Sequence, residues 1–124
     1  INFLLKKDLA VVVTSGPDTE EIAYVNDILN KANINNEKVL NLSGKTSLTS
    51  LAALIRGSLF FIGLDSVASH IAASVNRDSI TLFGPSNPVN WKPWSNKARI
   101  ISKENLKDIK VEDVTSLIEE LLVQ

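Results

Sequence analysis

The sequence predicts an α/β domain in which a parallel sheet is covered by helices on both faces. Short apolar, β-branched runs alternate with longer segments whose apolar residues recur at helical spacing. Strands that alternate with helices in this way form βαβ units, and the strands of such units run parallel. Hydrophobic residues make up 44% of the 124 residues, which is enough for the core of one domain.

Five segments have the pattern of short strands. The run LAVVVT is typical of a strand that is buried on both faces of a parallel sheet, and the others are shorter or less uniformly apolar. A terminal amphipathic helix is expected over residues 112–122. The predicted strands are residues 9–14, 39–42, 59–63, 79–83 and 98–101.

The helices between these strands have recognisable starts. Asp18 is followed three residues later by Glu21, which is the spacing of a capping box. Thr46 or Ser47 is expected to cap the next helix, since both side chains can accept a hydrogen bond from the first turn. A third helix is expected to begin near Ser66, directly after a buried strand.

The composition excludes several classes of protein. There is no cysteine, which rules out a disulfide scaffold and thiolate metal sites and fits a reducing cytoplasm. The formal net charge is −1 without a basic block, so nucleic acid is not an expected partner. The apolar runs are too short to cross a bilayer and no signal peptide is expected. Because the chain opens on Ile1, we expect a fragment of a longer protein.

Right-handed crossovers place the carboxyl ends of parallel strands at one edge of the sheet. Ligands of such sheets bind at that edge. We therefore expect the functional site in the loops that follow the strands. These loops are residues 15–18, 43–47, 64–66 and 84–87.

The strand-to-helix junction that contains Asp65 and Ser66 is a candidate phosphate site. Unpaired N–H groups and the positive end of the macrodipole meet at a helix N-terminus, and a serine hydroxyl adds a further donor. His70, the single histidine, lies one helical turn after Ser66 and on the same side. The alternative is that Asp65 is only an N-cap and that His70 is a partly buried helix residue.

Other motifs are open to two interpretations. LSGKTSL is not a P-loop, because Val39 stands where that pattern needs glycine, so a turn followed by a cap is favoured. Glu20 and Glu21 either compensate a helix dipole or offer a carboxylate to a ribose diol. The loop GPSNPVNWKPWSN either covers the edge of the sheet or forms a wall of a sugar pocket.

Taken in order, these segments resemble the C-terminal domain of the ADP-heptose:lipopolysaccharide heptosyltransferases, glycosyltransferase family 9. The family's glycine-rich turn and acidic helix start appear as TSGPDTEE. Its central pattern appears as NLSGKTSLTSLAALIRGSLFFIGLDSVASHIAASVNRDSITLFGPSNPVNWKPW. The resemblance covers about residues 9–95, and the ordered combination of DS, H.AAS, TLFGPSNP and W.P is more specific than any single element.

The resemblance implies a Rossmann-like fold, the C-terminal half of a GT-B glycosyltransferase. Residues 1–124 are then a nucleotide-sugar (donor) binding domain that lacks the N-terminal acceptor domain. The implied reaction is transfer of a heptose or related sugar from a nucleotide-diphosphate donor to the lipopolysaccharide core. The catalytic base and an upstream phosphate-binding lysine are expected before residue 1, so the chain alone should hold no catalytic residue and be inactive.

The resemblance also implies roles for individual residues. Asp65 would hydrogen-bond hydroxyls of the donor sugar, and Ser66 with the following amides would hold the diphosphate. His70 would support that site. Glu20 would face the ribose, and Thr46 would line the adenine pocket.

One residue departs from the family pattern. The family carries glycine after the Asp-Ser pair, where the backbone approaches a phosphate, and this chain carries Val67. A valine there would crowd the donor or change its pose. The resemblance therefore leaves the identity of the sugar and nucleotide open.

No cofactor and no metal are expected, since ADP-heptose or a similar nucleotide sugar is the donor substrate. The expected partners are this nucleotide sugar and a lipid-linked saccharide acceptor. The protein would act in the cytoplasm of a Gram-negative bacterium, with peripheral association at the cytoplasmic face of the inner membrane. The alternatives are a non-catalytic flavodoxin-like interaction domain and another nucleotide-sugar enzyme, such as an epimerase.

Overall fold

The structure is a computed structural model that describes residues 1–85 and 95–123. Residues 86–94, which include both tryptophans, lie outside the described residues, and so does the predicted sugar-pocket wall in that loop. The chain divides into two compact units, Ile1–Thr49 and Ser50–Gln124.

The alternation of strands and helices confirms the predicted α/β class, and all five predicted strands are present. The strand at residues 79–83 has the predicted bounds, and the other four differ by a few residues at their ends. In chain order the elements are α1 Asn2–Lys6, β1 Val11–Val13, α2 Thr19–Lys31, β2 Val39–Asn41, α3 Leu48–Gly57, β3 Phe61–Leu64, α4 Val67–Ser74, β4 Ser79–Phe83, β5 Ala98–Ser102, a 3₁₀ helix Leu106–Asp108 and α5 Val111–Leu122.

The first unit contains a parallel pair of strands. β1 and β2 run in register, with Val12 opposite Leu40. The expectation that β1 is buried on both faces is wrong, because Val12 is 40% exposed and Leu40 is 54% exposed. Successive side chains of a strand point to opposite faces, so these two share the open face while Val11 and Val13 lie on the partly covered one.

The helix starts of the first unit follow the predicted chemistry. Asp18 is the N-cap of α2, and its carboxylate accepts a hydrogen bond from the N–H of Glu20 at 2.7 Å. This confirms the predicted start of that helix. α3 ends at Gly57, as predicted, and Ser47 rather than Thr46 directly precedes its first residue.

The second unit is built around the central strand β4. β3 and β5 flank it, and both pair with it in parallel, so that Thr81 lies between Gly63 and Ile100. α4 packs on β3 and β4, and α5 packs on β5. The buried apolar side chains of this unit are Ile55, Ala72, Ile80, Phe83 and Ile118.

The predicted start of the third strand is wrong. Leu59 precedes β3 and is 64% exposed. The chain turns at the end of α3, where both the N–H and the hydroxyl of Ser58 donate to the carbonyl of Ile55 at 3.1 and 2.6 Å. This turn leaves Leu59 in solvent, and the ladder begins only at Phe61.

We expect Ile80→Ala to lower the free energy of unfolding by about 2–5 kcal/mol, because Ile80 is fully buried in the central strand and a cavity replaces its side chain. Leu59→Ala is the matched control in the same unit and should change stability by no more than about 0.5 kcal/mol. Urea unfolding of both variants measures the difference. Equal losses would mean that β4 does not form the core of this unit.

Candidate phosphate-binding site at the start of α4

The candidate site lies at the carboxyl edge of the three-stranded ladder in the second unit. Leu64 ends β3 opposite Leu82, and the N–H of the next residue, Asp65, donates to the carbonyl of Leu82 at 3.2 Å. On the other side of β4, the N–H of Lys103 donates to the carbonyl of Phe83 at 3.1 Å. These bonds extend the ladder by one residue on each side. They hold Asp65 beside the end of the central strand.

The turn after Asp65 leaves its hydrogen-bond donors free. Ser66 is the N-cap of α4, with extended backbone angles (φ −157°, ψ 176°), and its side chain makes no capping hydrogen bond. The alternative in which Asp65 is the N-cap is therefore wrong. The N–H groups of Ser66, Val67 and Ala68 donate to no other residue within 1–85 and 95–123. Three amides and one hydroxyl thus have no partner among the described residues and can bind a ligand.

The start of α4 differs from the starts of α2 and α5. α2 is capped by Asp18 and carries Glu20 and Glu21 in its first turn. α5 carries Asp113 in its first turn, and this carboxylate accepts from the N–H of Lys110 at 2.9 Å. α4 has no acidic residue in its first turn and no capping side chain. A bound anion would compensate the positive dipole end at this helix start.

Four of the predicted site residues lie together around this turn. Asp65 is half-buried, Ser66 is exposed, and Val67 is 60% exposed at the first helical position. His70 is exposed four residues after Ser66, which places it one turn further along the same side of α4. The segment from Asp65 to His70 thus brings together hydrogen-bond donors, one carboxylate and one imidazole.

Glu20 and Thr46 belong to the first unit. Glu20 is exposed in the first turn of α2, and Thr46 is half-buried in the loop between β2 and α3. The loops that follow β1 and β2 are joined by a hydrogen bond from the N–H of Gly44 to the carbonyl of Ser15 at 3.2 Å. Glu20 and Thr46 thus lie in the chain after the carboxyl ends of β1 and β2. Their roles in ligand binding stay predictions.

The sequence analysis missed Ser69. This residue is fully buried, and its hydroxyl and its N–H both donate to the carbonyl of Ser66, at 2.7 and 3.1 Å. It lies three residues before Ala72, another fully buried residue of α4. That spacing indicates a helix face turned to the sheet, and it was the signal available in the sequence.

The described residues contain neither a metal-binding cluster nor a membrane-spanning helix. Within residues 1–85 and 95–123, no group of three His, Asp or Glu side chains is arranged to hold a metal ion. In the same residues no helix has the length and apolar character needed to cross a membrane.

The chain has the features of a Rossmann-like α/β domain. These are parallel strands, covering helices and a helix start of the kind that binds phosphate. The chain belongs to glycosyltransferase family 9 (heptosyltransferase), whose model matches residues 1–119. This confirms the resemblance found in the sequence motifs.

Curated relatives carry heptosyltransferase names. The chain is 43% identical to lipopolysaccharide heptosyltransferase 3 of Escherichia coli over 96 residues, which is 77% of this chain and 28% of that protein. It is 45% identical to lipooligosaccharide heptosyltransferase 2 of Haemophilus influenzae over 65 residues, which is 52% of this chain and 19% of that protein. The chain thus spans less than a third of the length of these relatives.

Solved structures show the same fold. The E. coli ADP-heptose lipopolysaccharide heptosyltransferase II superposes with a TM-score of 0.86 at 31% identity, over 99% of this chain and 39% of that one. The E. coli heptosyltransferase WaaC with ADP superposes with a TM-score of 0.84 at 21% identity, over 97% of this chain and 36% of that one. The predicted C-terminal GT-B fold is confirmed by these matches.

We expect Ser66→Ala to lower the free energy of unfolding by well under the roughly 1 kcal/mol that loss of a capping side chain costs, because the Ser66 hydroxyl caps nothing. Asp18→Ala is the comparison, since Asp18 does cap α2, and it should show the full loss of about 1 kcal/mol. Denaturant unfolding measures both. A loss at Ser66 that equals the loss at Asp18 would contradict the assignment of a free hydroxyl.

Proposed function

We propose that this chain is the donor-binding domain of a heptosyltransferase that transfers a heptose or related sugar from a nucleotide diphosphate to the lipopolysaccharide core. The observation that carries the proposal is the uncapped start of α4, where the N–H groups and the Ser66 hydroxyl donate to no residue in the part of the chain that the structure describes. The family and the names of the relatives support the same reaction class. The acceptor-binding half and the catalytic base would lie in other parts of the natural polypeptide.

The start of α4 would bind the diphosphate. The N–H groups of Val67 and Ala68 and the hydroxyl of Ser66 would donate to its oxygens, and the macrodipole favours its negative charge. In the reaction, the bond between the anomeric carbon and the diphosphate oxygen breaks, and an acceptor hydroxyl forms the new glycosidic bond. The proton of that hydroxyl passes to the base. Charge grows on the departing diphosphate, so fixed donors stabilise the transition state.

The neighbouring side chains would complete the donor site. Asp65 precedes the phosphate-binding turn, and a half-buried carboxylate there can accept hydrogen bonds from sugar hydroxyls. His70 stands one turn along α4, where an imidazole N–H can donate to a phosphate oxygen. Glu20 and Thr46 are assigned to the ribose and the adenine on the strength of the family resemblance.

The proposal invokes no metal and no cofactor, because main-chain donors would stabilise the negative charge on the leaving group. The partners would be a nucleotide sugar and a lipid-linked saccharide acceptor. An enzyme with that acceptor would work at the cytoplasmic face of the inner membrane of a Gram-negative bacterium, in peripheral association with it.

We expect residues 1–124 alone to bind ADP weakly and to transfer no sugar. A ligand that binds only the folded state raises the melting temperature, so millimolar ADP should raise it by a few degrees. Thermal-shift titrations with ADP, UDP, GDP and CMP measure the effect and show which nucleobase the site accepts. A chain that responds to none of these nucleotides would instead be a non-catalytic interaction domain, and sugar transfer by residues 1–124 alone would refute the assigned division between domains.

We expect Asp65→Ala and Ser66→Ala to impair the natural full-length polypeptide in different ways. Asp65→Ala should depress sugar transfer strongly and leave ADP affinity nearly intact, because ADP has no sugar for the carboxylate to bind. Ser66→Ala should weaken ADP and the sugar nucleotide alike, by about 0.5–1.5 kcal/mol for one net hydrogen bond. Calorimetry with ADP and turnover of the sugar nucleotide measure the two effects.

Thr49→Ala is a suitable control for both variants, because this exposed residue in the first turn of α3 has no assigned role. It should leave ADP affinity and turnover unchanged. Full turnover by Asp65→Ala would disprove the assigned role of that carboxylate. If the products of the natural polypeptide were an isomerised nucleotide sugar without transfer, the enzyme would be an epimerase.

A further inference from the structure

We infer that Ser69 is a positioning residue that aims the diphosphate-binding amide of Val67, an inference that rests on the proposed function. Ser69 is fully buried on α4, so its hydroxyl is out of reach of a bound donor. Both of its hydrogen bonds go to one atom, the carbonyl oxygen of Ser66. The hydrogen bonds of Ser69 can therefore influence a ligand only by way of Ser66.

The geometry of the peptide unit carries this effect to the ligand side. The carbonyl of Ser66 and the N–H of Val67 belong to the same planar trans peptide, in which they point in opposite directions. A carbonyl held from within α4 by the Ser69 hydroxyl at 2.7 Å and the Ser69 N–H at 3.1 Å fixes that plane. The N–H of Val67 is then directed away from the helix.

A fixed direction matters because the Ser66 side chain does not stabilise the turn. Ser66 is the N-cap, but its side chain makes no capping bond, so nothing from that side chain orders the first turn of α4. Preorganised donors bind better than mobile ones, since less conformational freedom is lost on binding. The buried serine would thus supply the order that a capping side chain supplies in α2.

The same helix offers a matched control. Ser74 lies at the other end of α4, and its hydroxyl donates to the carbonyl of Ile71 at 2.8 Å, which is the same three-residue spacing. Ser74→Ala removes a hydrogen bond of the same spacing, exposed rather than partly buried, without touching the Ser66–Val67 peptide. Ser69→Ala keeps the N–H bond to Ser66, and alanine is a good helix former, so this variant should fold.

The test measures ADP affinity by calorimetry and the Val67 amide by NMR in the natural full-length polypeptide. We expect Ser69→Ala to weaken ADP about three- to tenfold, the fold-change of one net hydrogen bond, and to abolish the ADP-induced shift of the Val67 amide. Ser74→Ala should keep the ADP affinity and the ADP-induced shift of the Val67 amide. Melting temperatures of the two variants show whether a loss of helix stability accompanies the effect.

The outcomes separate this inference from the proposed function. Wild-type protein that binds none of ADP, UDP, GDP and CMP would refute the proposed function and this inference with it. Wild-type binding with an unchanged affinity in Ser69→Ala would refute the positioning role alone. Equal losses in Ser69→Ala and Ser74→Ala, in step with their melting temperatures, would show that the hydroxyl only stabilises the helix.

Discussion

The parallel pairing of β4 with both of its neighbours is the interaction on which the second unit depends. Ile80 and Phe83 of this strand are fully buried. The backbone hydrogen bonds of β4 set the register of β3 and β5, and so where these strands end. The hydrogen bonds at Leu82 and Phe83 then set where the following loops begin. The position of Asp65, and with it the start of α4, follows from this ladder rather than from contacts made within the loop.

The start of α4 shows how a buried helix face can hold in place a helix whose first turn has no side-chain cap. A side-chain cap on α4 would add about 1 kcal/mol of helix stability, and α4 lacks one. Its buried face, with Ser69 and Ala72, keeps it in place against β3 and β4. Under the proposed function, a bound diphosphate provides the interaction that a cap would otherwise make, so that ligand binding and helix stability are linked.

The sequence predicted the parts of the fold that depend on local pattern. The strand at residues 79–83 was predicted to the residue, because the segment SITLF is made mostly of β-branched and apolar residues and Gly84-Pro85 directly follows it. The choice between Asp65 and Ser66 as N-cap was not decided, since both side chains can cap and spacing does not tell them apart. Ser69 was missed because a serine inside a helix is compatible with a buried or an exposed hydroxyl, and only its three-residue spacing from Ala72 indicated the buried face.

The nature of the donors at α4 limits what can determine substrate choice. Main-chain N–H groups are present at every helix start and bind phosphate oxygens whatever sugar follows them. Residues 86–94 lie outside the described residues. Under the proposed function, the described side chains beside these amides that can add a preference for the sugar are Asp65, Val67 and His70. Of these, Val67 is an apolar group 60% exposed to solvent beside free amides, where a glycine would leave more room. On the proposed function, this valine would reduce the space beside those amides, so the donor site would differ from one with glycine at that position.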